Sequence, residues 1–306
     1  MDVLSDLLHR ARAKNAVVRQ VIQRPPWSLT LADPHQLTAV ATLAGKAVVT
    51  LADGQAHHLA AGDIALVKGG HYTIADSVDT PSQVIIRAGH KQILDGSAVA
   101  ERIGPRTYGT REPGATTMLH GIYRLHGSAG ERFLDLLPTI TVLPAGPRTR
   151  LSLELLSVEA ERDEPGQDAV LNRLLDLILV IALRAWGARS DGLGALADPI
   201  IGQALETLHA DPRHRWTTAG LAAEVGVSRA ALSARFTDLV GTPPMTYLTG
   251  WRMTLAADAL RDTDVSVAAV ARDVGYDNAF AFSTAFKRVY GQSPTGWRAV
   301  TRPRRH

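Results

Sequence analysis

The side chains that could bind a metal or transfer protons in the first 164 residues of this 306-residue chain do not have the spacing of a metal site or a catalytic site. His57 and His58 are adjacent, so on a strand they point to opposite faces. An acidic run beside Pro165-Gly166 (Glu159, Glu161, Asp163 and Glu164) is interpreted as a solvated helix end rather than an acid–base cluster. The chain has no cysteine, which excludes thiolate zinc sites, iron–sulfur clusters and a catalytic thiol. We therefore expect no catalytic residues, no metal and no other cofactor.

A second group of informative residues forms an internal repeat near the C-terminus. Residues 221–227 (LAAEVGV) are echoed by residues 270–276 (VARDVGY), at an offset of 49 residues. In each copy a short helical stretch is followed by a glycine that turns the chain, and then by a second helix with an aromatic core anchor, Phe236 or Phe286. This order of features predicts two helix-turn-helix units.

Capping and stop signals mark the limits of these units. Ser228 and Asn278 precede the second helix of each copy, where their side chains can accept hydrogen bonds from its first amides. Gly241 and Gly291 end the same helices, and proline follows each of them within three residues. The same start and stop signals therefore occur in both copies.

These limits place the units at about residues 218–241 and 267–291, in an all-α domain that we expect to span residues 198–306. Between the units, apolar residues at helical spacing predict one long joining helix over about residues 244–261. A continuous helix would fix the distance between the two units.

The region from about Asp198 to Arg302 resembles the AraC/XylS family of bacterial transcription regulators. The matching positions are Leu221, Ala222, Gly226, Ser228, Leu232 and Phe236 in the first unit, Pro244, Tyr247, Leu248, Trp251, Arg252, Met253 and Ala256 in the joining helix, and Ala271, Gly275, Tyr276, Phe282, Ser283, Ala285, Phe286, Lys287, Gly291, Ser293 and Pro294 in the second unit. The resemblance implies sequence-specific binding of double-stranded promoter DNA by a transcription regulator that is not an enzyme.

In a helix-turn-helix the first turns of the second helix face the base edges of the major groove. The predicted base-reading residues are Arg229, Ala230, Ser233 and Ala234 in the first unit and Ala279, Phe280, Ser283 and Thr284 in the second. The family often has an arginine where this chain has Ala234 and Thr284, and without it the usual guanine contact is lost. We expect thymine methyl contacts and hydroxyl hydrogen bonds to carry more of the specificity.

A different set of side chains is better placed for phosphates, which give affinity and register but no sequence code. The predicted phosphate contacts are Thr218, Ser228, Arg235, Lys287 and Arg288. Arg235 has an alternative interpretation as the internal partner of an acid such as Asp238.

The charge distribution agrees with a polyanion partner. From Asp198 onward the chain has 13 Lys+Arg and 10 Asp+Glu, whereas residues 1–197 carry 20 of each, so the net charge of +3 lies in the last third. Arg302, Arg304 and Arg305 belong to this excess. A charge this small supports DNA binding without establishing it.

Short strand-type runs separated by turn signals, such as Asp53-Gly54, occur over residues 37–88 and again at 118–125 and 139–143. They predict an antiparallel barrel or jelly roll over about residues 20–145. The expected fold class is α+β, with this barrel followed by helices. We expect a sensing domain over residues 1–160, an interdomain helix and linker over residues 161–197, and the DNA-binding domain over residues 198–306.

Residues 62–70 (GDIALVKGG) resemble the cupin-like sensor domains of one branch of the same family. That resemblance implies a small organic effector inside the barrel, for which Trp27, His71 and Tyr72 are the predicted lining. Metal-binding cupins use a His-x-His pair and a later histidine, whereas here two histidines are adjacent and Thr73 stands at the later position. The prediction is a metal-free site.

The remaining expectations concern location and partners. The N-terminus has no apolar signal-peptide core, and the longest apolar run, residues 177–183, is far shorter than a membrane span. We expect a cytoplasmic protein without a membrane partner. The predicted helix over residues 168–186 has only a narrow polar stripe, which indicates a homodimer contact, and RNA polymerase is a further candidate partner.

Two alternative functions remain open at this point. A metal-dependent cupin enzyme with a DNA-binding tail would need a stoichiometric transition metal. A sequence-tolerant architectural DNA-binding protein would show no preference among DNA sequences.

Overall fold

The computed structural model describes residues 3–11, 17–32, 36–87, 90–94, 101–109, 112–125, 127–187 and 194–302. The chain forms two compact units. One, here called the sheet unit, contains Ala13–Leu125 and Leu137–Arg189. The other, the helical unit, contains Ser190–His306 together with Met1–Arg12 and His126–Leu136.

The strands of the sheet unit form two sheets of six strands each. They are β1 (Val17–Gln23), β2 (Ser28–Ala32), β3 (Gln36–Ala44), β4 (Lys46–Leu51), β5 (Ala56–Ala60), β6 (Ile64–Lys68), β7 (His71–Ala75), β8 (Val84–Arg87), β9 (His90–Ile93), β10 (Thr107–Gly109), β11 (Thr116–Arg124) and β12 (Ile140–Leu143). The first sheet has the order β10-β1-β11-β3-β6-β12, and the second has the order β5-β4-β7-β2-β8-β9.

The core of the sheet unit lies between the two sheets. Val40 and Met118 of the first sheet and Val49 and Ile74 of the second belong to one buried cluster. In the described ranges no strand of one sheet pairs with a strand of the other, so the sheets do not close into a barrel. The α+β class and the strand-rich N-terminal domain are confirmed, but the closed barrel is wrong.

Two strand pairs depart from the expected antiparallel pattern. Strands β1 and β10 are parallel, with Val21 opposite Tyr108, and β2 and β8 are parallel, with Thr30 opposite Ile85. Each pair joins strands that are far apart in sequence, so the connection is made by the intervening strands rather than by a crossover helix. Local turn signals could not reveal such pairings.

The described helices are distributed over both units. They are α1 (Val3–Ala11), α2 (Gly127–Asp135), α3 (Pro147–Glu161), α4 (Gln167–Gly187), α5 (Gly194–Ala197), α6 (Pro199–Ala210), α7 (Thr218–Glu224), α8 (Arg229–Val240), α9 (Pro244–Asp262), α10 (Val267–Asp273), α11 (Ala279–Tyr290) and α12 (Pro294–Thr301). None of them is long and apolar enough to cross a membrane.

Helices α3 and α4 belong to the sheet unit and pack on each other. Leu175 of α4 lies over Gly121 of β11, where a Cβ atom would come within 2.4 Å of the leucine side chain. The hydroxyl of Tyr123 donates a hydrogen bond of 2.7 Å to the carbonyl of Leu175. The helix predicted over residues 168–186 is therefore packed against the first sheet on one side.

Helices α1 and α2 pack in the helical unit, although they come from the N-terminal half of the chain. The carboxylate of Asp258 in α9 accepts hydrogen bonds from the amides of Ser128 (2.7 Å) and Ala129 (3.2 Å), which begin α2. Burial raises the pKa of Asp258 although these amides and Arg261 oppose it. The observed units thus depart from the predicted boundaries at two short segments, whose partners lie more than a hundred residues away.

Candidate nucleic-acid interface

The first helix-turn-helix consists of α7 and α8. The hydroxyl of Ser228 accepts a hydrogen bond of 3.2 Å from the amide of Ala231, so it caps the start of α8. Gly241 ends α8 at φ 79°, a left-handed conformation that glycine adopts without strain. Leu232 and Phe236 are fully buried, and the Phe236 ring meets Tyr247 of α9 edge-on at 5.7 Å. The inner face of α8 is thereby fixed to the joining helix.

The second helix-turn-helix consists of α10 and α11. The side chain of Asn278 accepts hydrogen bonds from the amides of Phe280 (2.7 Å) and Ala281 (3.4 Å), and Gly291 ends the helix at φ 75°. Phe282 and Phe286 are fully buried against α9. The repeat seen in the sequence therefore corresponds to two helices that are capped at equivalent positions and bury equivalent faces.

The outer faces of α8 and α11 carry the predicted base-reading residues. Arg229, Ala230, Ala234, Ala279, Phe280 and Thr284 are exposed, and Ser233 and Ser283 are half-buried. Phe280 is the extreme case, because 80% of this large apolar side chain is exposed at the start of α11. The structure thus leaves this set accessible, and their contacts with bases remain predictions.

Hydroxyl groups on the outer face of α11 bond back to their own helix. Ser283 donates to the carbonyl of Ala279 (2.8 Å) and Thr284 donates to the carbonyl of Phe280 (3.0 Å). Because their protons are used in these bonds, the two oxygens present lone pairs outward. In this rotamer they match the amino groups of adenine and cytosine, which are donors in the major groove.

The predicted phosphate contacts differ in their surroundings. Lys287 and Arg288 are exposed on the last turns of α11, and neither forms an ion pair with an acid in the described part of the chain. Ser228 uses a lone pair for capping, which leaves its proton to donate to a phosphate oxygen. Thr218 is half-buried, and the residue that caps α7 is its neighbour Thr217, which accepts from the amide of Gly220 at 3.0 Å.

Arg235 is held within the helical unit. Its Nε donates a hydrogen bond of 2.8 Å to the carboxylate of Asp198, which also caps the start of α6. Burial opposes ionisation of Asp198, but bonds from the amides of Ile201 and Ile200 and from Arg235 outweigh it and lower its pKa. The internal partner is therefore Asp198 rather than Asp238. A phosphate that contacted Arg235 would have to share its guanidinium with Asp198.

A polar contact joins the segment before α7 to the turn of the second unit. Arg213 forms an ion pair with Asp273 and donates to its carbonyl at 2.8 Å, and Arg215 pairs with Asp277. Arg252 of α9 donates to the carbonyls of Pro212 (2.7 Å) and His214 (2.8 Å). The two helix-turn-helix units are thus connected by this segment as well as by α9. Both connections favour a fixed arrangement of the two helix-turn-helix units.

The sequence did not reveal a buried polar network at the first unit. His209 of α6 lies between the carboxylate of Asp6 (Nδ1 to Oδ2, 2.9 Å) and the hydroxyl of Tyr247 (Nε2 to Oη, 2.7 Å). Its ring stacks on Trp251 at 4.1 Å, and the guanidinium of Arg132 in α2 lies over Tyr247 at 4.8 Å. The contributing residues come from four separate helices, so no local sequence pattern could predict the network.

The predicted effector-lining residues occupy different environments. Trp27 and Tyr72 are buried in the core between the sheets, whereas His71 is exposed. His57 is half-buried and His58 is exposed, as expected for neighbours on a strand. Burial lowers the pKa of His120 to about 4, so this core histidine is neutral at pH 7.

Two further observations concern metals and the C-terminal tail. In the described ranges no group of three or more histidine, aspartate or glutamate side chains could hold a metal ion.

In the C-terminal tail, Arg302 forms an ion pair with Asp264. Arg304 and Arg305 lie outside the described residues.

Comparisons with known proteins cover nearly the whole chain. The family model described as Cupin matches residues 2–188, and the one described as Helix-turn-helix domain matches residues 221–299. An AraC-like transcription regulator of Streptomyces antibioticus is 30% identical over 99% of this chain and 100% of its own length. One of Streptomyces lividans is 30% identical over 97% of this chain and 98% of its own.

A third relative is the HTH-type transcriptional regulator AlkR of Acinetobacter baylyi, which is 28% identical over 97% of this chain and 99% of its own length. The N-terminal match is to cupin domains and the C-terminal match is to helix-turn-helix domains, in the order that the two units show. The relatives named here are all transcription regulators. The chain belongs to the AraC-like family of DNA-binding transcription regulators, with an N-terminal cupin domain.

Proposed function

We propose that this regulator acts in the cytoplasm by placing α8 and α11 in successive major grooves on one face of a promoter, while the sheet unit responds to a small organic effector. The observation that carries the DNA-binding mode is the repeated burial pattern of the two helices. In both, the inner aromatic anchor is fully buried and the predicted reading residues face outward.

The first recognition helix, α8, presents a cation to the base edges. Arg229 is exposed at the first position of α8, and no acid in the described ranges forms an ion pair with it. A free guanidinium there can donate two hydrogen bonds to guanine O6 and N7. Ala230 and Ala234 leave room for the bases to approach the helix.

The second recognition helix reads with an apolar ring and hydroxyl oxygens. Phe280 offers a surface for thymine methyl groups, and burying it against DNA would remove its unfavourable exposure to water. Ser283 and Thr284 offer acceptors to adenine or cytosine amino groups. Lys287 and Arg288 bind phosphates on the flanks of the groove.

We also propose that the regulator is a homodimer that contacts itself through α3 and α4. Leu151, Leu155 and Val158 form an exposed apolar row at helical spacing on α3, and Leu151 is 68% exposed. Val170 and Leu177 are exposed on α4. Apolar rows of this kind mark protein contacts, and a second copy provides a matching face. RNA polymerase is a further proposed partner of the DNA-bound form.

Sedimentation equilibrium of the full chain tests the dimer. Leu151→Glu should convert it to a monomer, because two carboxylates would then be buried at the contact. Val265→Glu is the matched control, since Val265 is an exposed apolar residue of the helical unit. A wild-type protein that stays monomeric at micromolar concentration contradicts the dimer.

Selection of genomic DNA fragments, followed by hydroxyl-radical footprinting, tests the proposed DNA binding. The full chain should enrich a defined motif and protect two segments about 34 Å apart on one face of the duplex. An architectural protein would enrich no motif, and a single protected groove would contradict the use of both helices. A stoichiometric transition metal in the purified protein would favour the cupin enzyme instead.

A further inference from the structure

The sheet unit has a pocket on the outer face of the second sheet, away from the core between the sheets. Leu29, Leu31, Val49 and Ile74 contribute to that core. Because side chains alternate along a strand, Thr30, Thr50 and Thr73 lie on the opposite face. The pairing of the strands sets Thr73 opposite both Thr30 and Thr50, so the three form one row across β4, β7 and β2.

The segment from Asp76 to Ser82 borders the row and forms one wall of an open pocket of about 170 Å³. Hydroxyl groups dominate its polar lining: Thr50, Thr73, Ser77, Thr80 and Ser82. All five are half-buried. An ordinary outer face of a sheet would leave such side chains in water, so the bordering segment creates a distinct site.

The bordering segment is anchored at both ends. Asp76 accepts hydrogen bonds from the amide of Trp27 and from the hydroxyl of Thr80, both at 2.9 Å. Gln83 accepts from the amide of Ser28 at 3.1 Å and donates to the carbonyl of Pro26 at 3.2 Å. The wall of the pocket is therefore held in place before any molecule binds, which reduces the entropy lost on binding.

The hydroxyl groups have unused hydrogen-bonding capacity. Thr30 lies 3.0 Å from the hydroxyl oxygen of Thr73 and 2.6 Å from that of Ser82. Three hydroxyls carry three protons, and these two bonds use two of them. One proton and several lone pairs are left for another partner, so the group can both donate and accept.

Size and charge narrow the class of ligand. Drug-sized ligands need pockets of roughly 300–1,000 Å³, whereas a cavity of roughly 150 Å³ holds one benzene ring. Among the described residues, the lining carries no acidic or basic side chain apart from His71, so it offers little to balance a charged ligand. We propose that the pocket binds a neutral, polyhydroxylated molecule of about one six-membered ring.

This inference rests on the proposed sensing function, because it makes the hydroxylated molecule the effector. The proposed site is not the one predicted from the sequence. Of the three predicted lining residues, only His71 and Tyr72 border this pocket, and Trp27 lies in the core. The site belongs wholly to the sheet unit.

Saturation-transfer NMR on the full chain, with D-glucose and myo-inositol as probes at millimolar concentration, tests the site. Thr73→Val removes a central hydroxyl with little change of shape and should weaken binding about threefold to tenfold, as for one lost hydrogen bond. Thr50→Phe fills the pocket and should abolish the signal. Ser28→Ala is the matched control, because its hydroxyl is buried on the neighbouring strand β2 but does not line the pocket.

Thermal unfolding of each variant checks that the sheet unit remains folded. Binding of at least one probe in wild type and Ser28→Ala, with loss in Thr50→Phe, supports the site. A signal from neither probe, or one that Thr50→Phe retains, overturns it, as does equal binding of benzoate with the same sensitivity to the variants. If a probe binds without changing DNA affinity, the sensing role fails and the site stands. A compound that changes DNA affinity equally in wild type and Thr50→Phe overturns the site and leaves sensing intact.

Discussion

The two helix-turn-helix units share one backbone plan and differ on the outer faces of α8 and α11. Helix α8 begins with the exposed cation Arg229, whereas α11 begins with Ala279 and the exposed ring of Phe280. The inner positions match, because Phe236 and Phe286 are both fully buried at an offset of 50 residues. Packing therefore constrains the inner face in both copies, and the outer face is free to carry different recognition chemistry.

The C-terminal turns of α8 and α11 differ in charge. Helix α11 carries Lys287 and Arg288 where α8 carries Thr237 and Asp238. Under the proposed DNA-binding mode, the second unit combines apolar base contacts with strong phosphate attraction, while the first combines a charged base-reading residue with a helix end that carries an acid. We infer that the second unit supplies more affinity and the first more sequence discrimination.

The cores of the units also differ. The second is aromatic: Phe286 lies 4.8 Å from Tyr290 and 6.1 Å from Trp297 between ring centres. The first is completed by the polar pair of Asp6 and His209, which joins α1 to α6. The first unit therefore depends on α1 for a buried polar pair, whereas the second is packed around aromatic rings, one of which, Tyr290, is hydrogen-bonded to Ser128 of α2.

The largest expected effect is in the aromatic core. Phe286→Ala should lower the free energy of unfolding by about 3–5 kcal/mol, because it removes a fully buried ring and leaves a cavity. Urea unfolding measures this change in the free energy of unfolding. Val289→Ala on the exposed side of the same helix is the control, with an expected change within about 0.5 kcal/mol. Similar losses in both variants would contradict the described burial of α11.

A smaller loss is expected in the first unit. Asp6→Ala leaves Nδ1 of buried His209 without this partner and should destabilise the protein by about 1–3 kcal/mol. Relative to wild type, hydrogen exchange in the Asp6→Ala variant should accelerate more in α6 than in α10 and α11. Asp238→Ala, at an exposed acid of α8, should leave exchange in α6 unchanged. Uniform acceleration in all these helices would mean that the two cores are not distinct.

For DNA binding, Arg229→Ala should weaken affinity by about 1–3 kcal/mol and relax the preference at one base pair, as for a lost bidentate guanine contact. Titrations against operators with single base changes measure both effects. Arg173→Ala removes the same charge from an exposed position in the sheet unit and serves as the control. An equal loss of affinity on every DNA sequence would assign Arg229 to phosphates.

Lys287→Ala should have the smallest effect and the least dependence on sequence. Losing one phosphate contact should weaken all DNA sequences alike and reduce the slope of log K against log salt by about one. Binding measured over a series of salt concentrations gives this slope. A changed base preference with an unaltered slope would show that Lys287 reads bases.

The sequence predicted most of the helical region because its signals are local. Caps such as Ser228 and Asn278, and stops such as Gly241, specify helix ends within a few residues. The pairing of Asp6 with His209, and the capping of α2 by Asp258, join residues far apart in sequence and leave no local pattern. The same reason explains why a closed barrel was predicted wrongly. The turn signal at Asp53-Gly54 correctly predicted the hairpin of β4 and β5, but closure depends on pairing between strands that are far apart in sequence.

The central claim is that the two recognition helices read different chemical groups in two grooves. The direct test is binding of the full chain to its selected operator with single thymines replaced by uracil, which lacks the C5 methyl group, and single guanines replaced by 7-deazaguanine, which lacks N7. Our account predicts that uracil weakens binding in the half-site of α11 and has no effect there in Phe280→Ala. It predicts that 7-deazaguanine weakens binding in the half-site of α8 and has no effect there in Arg229→Ala. Sensitivity to both substitutions in the same half-site, or sensitivities that persist unchanged in the two variants, would contradict it.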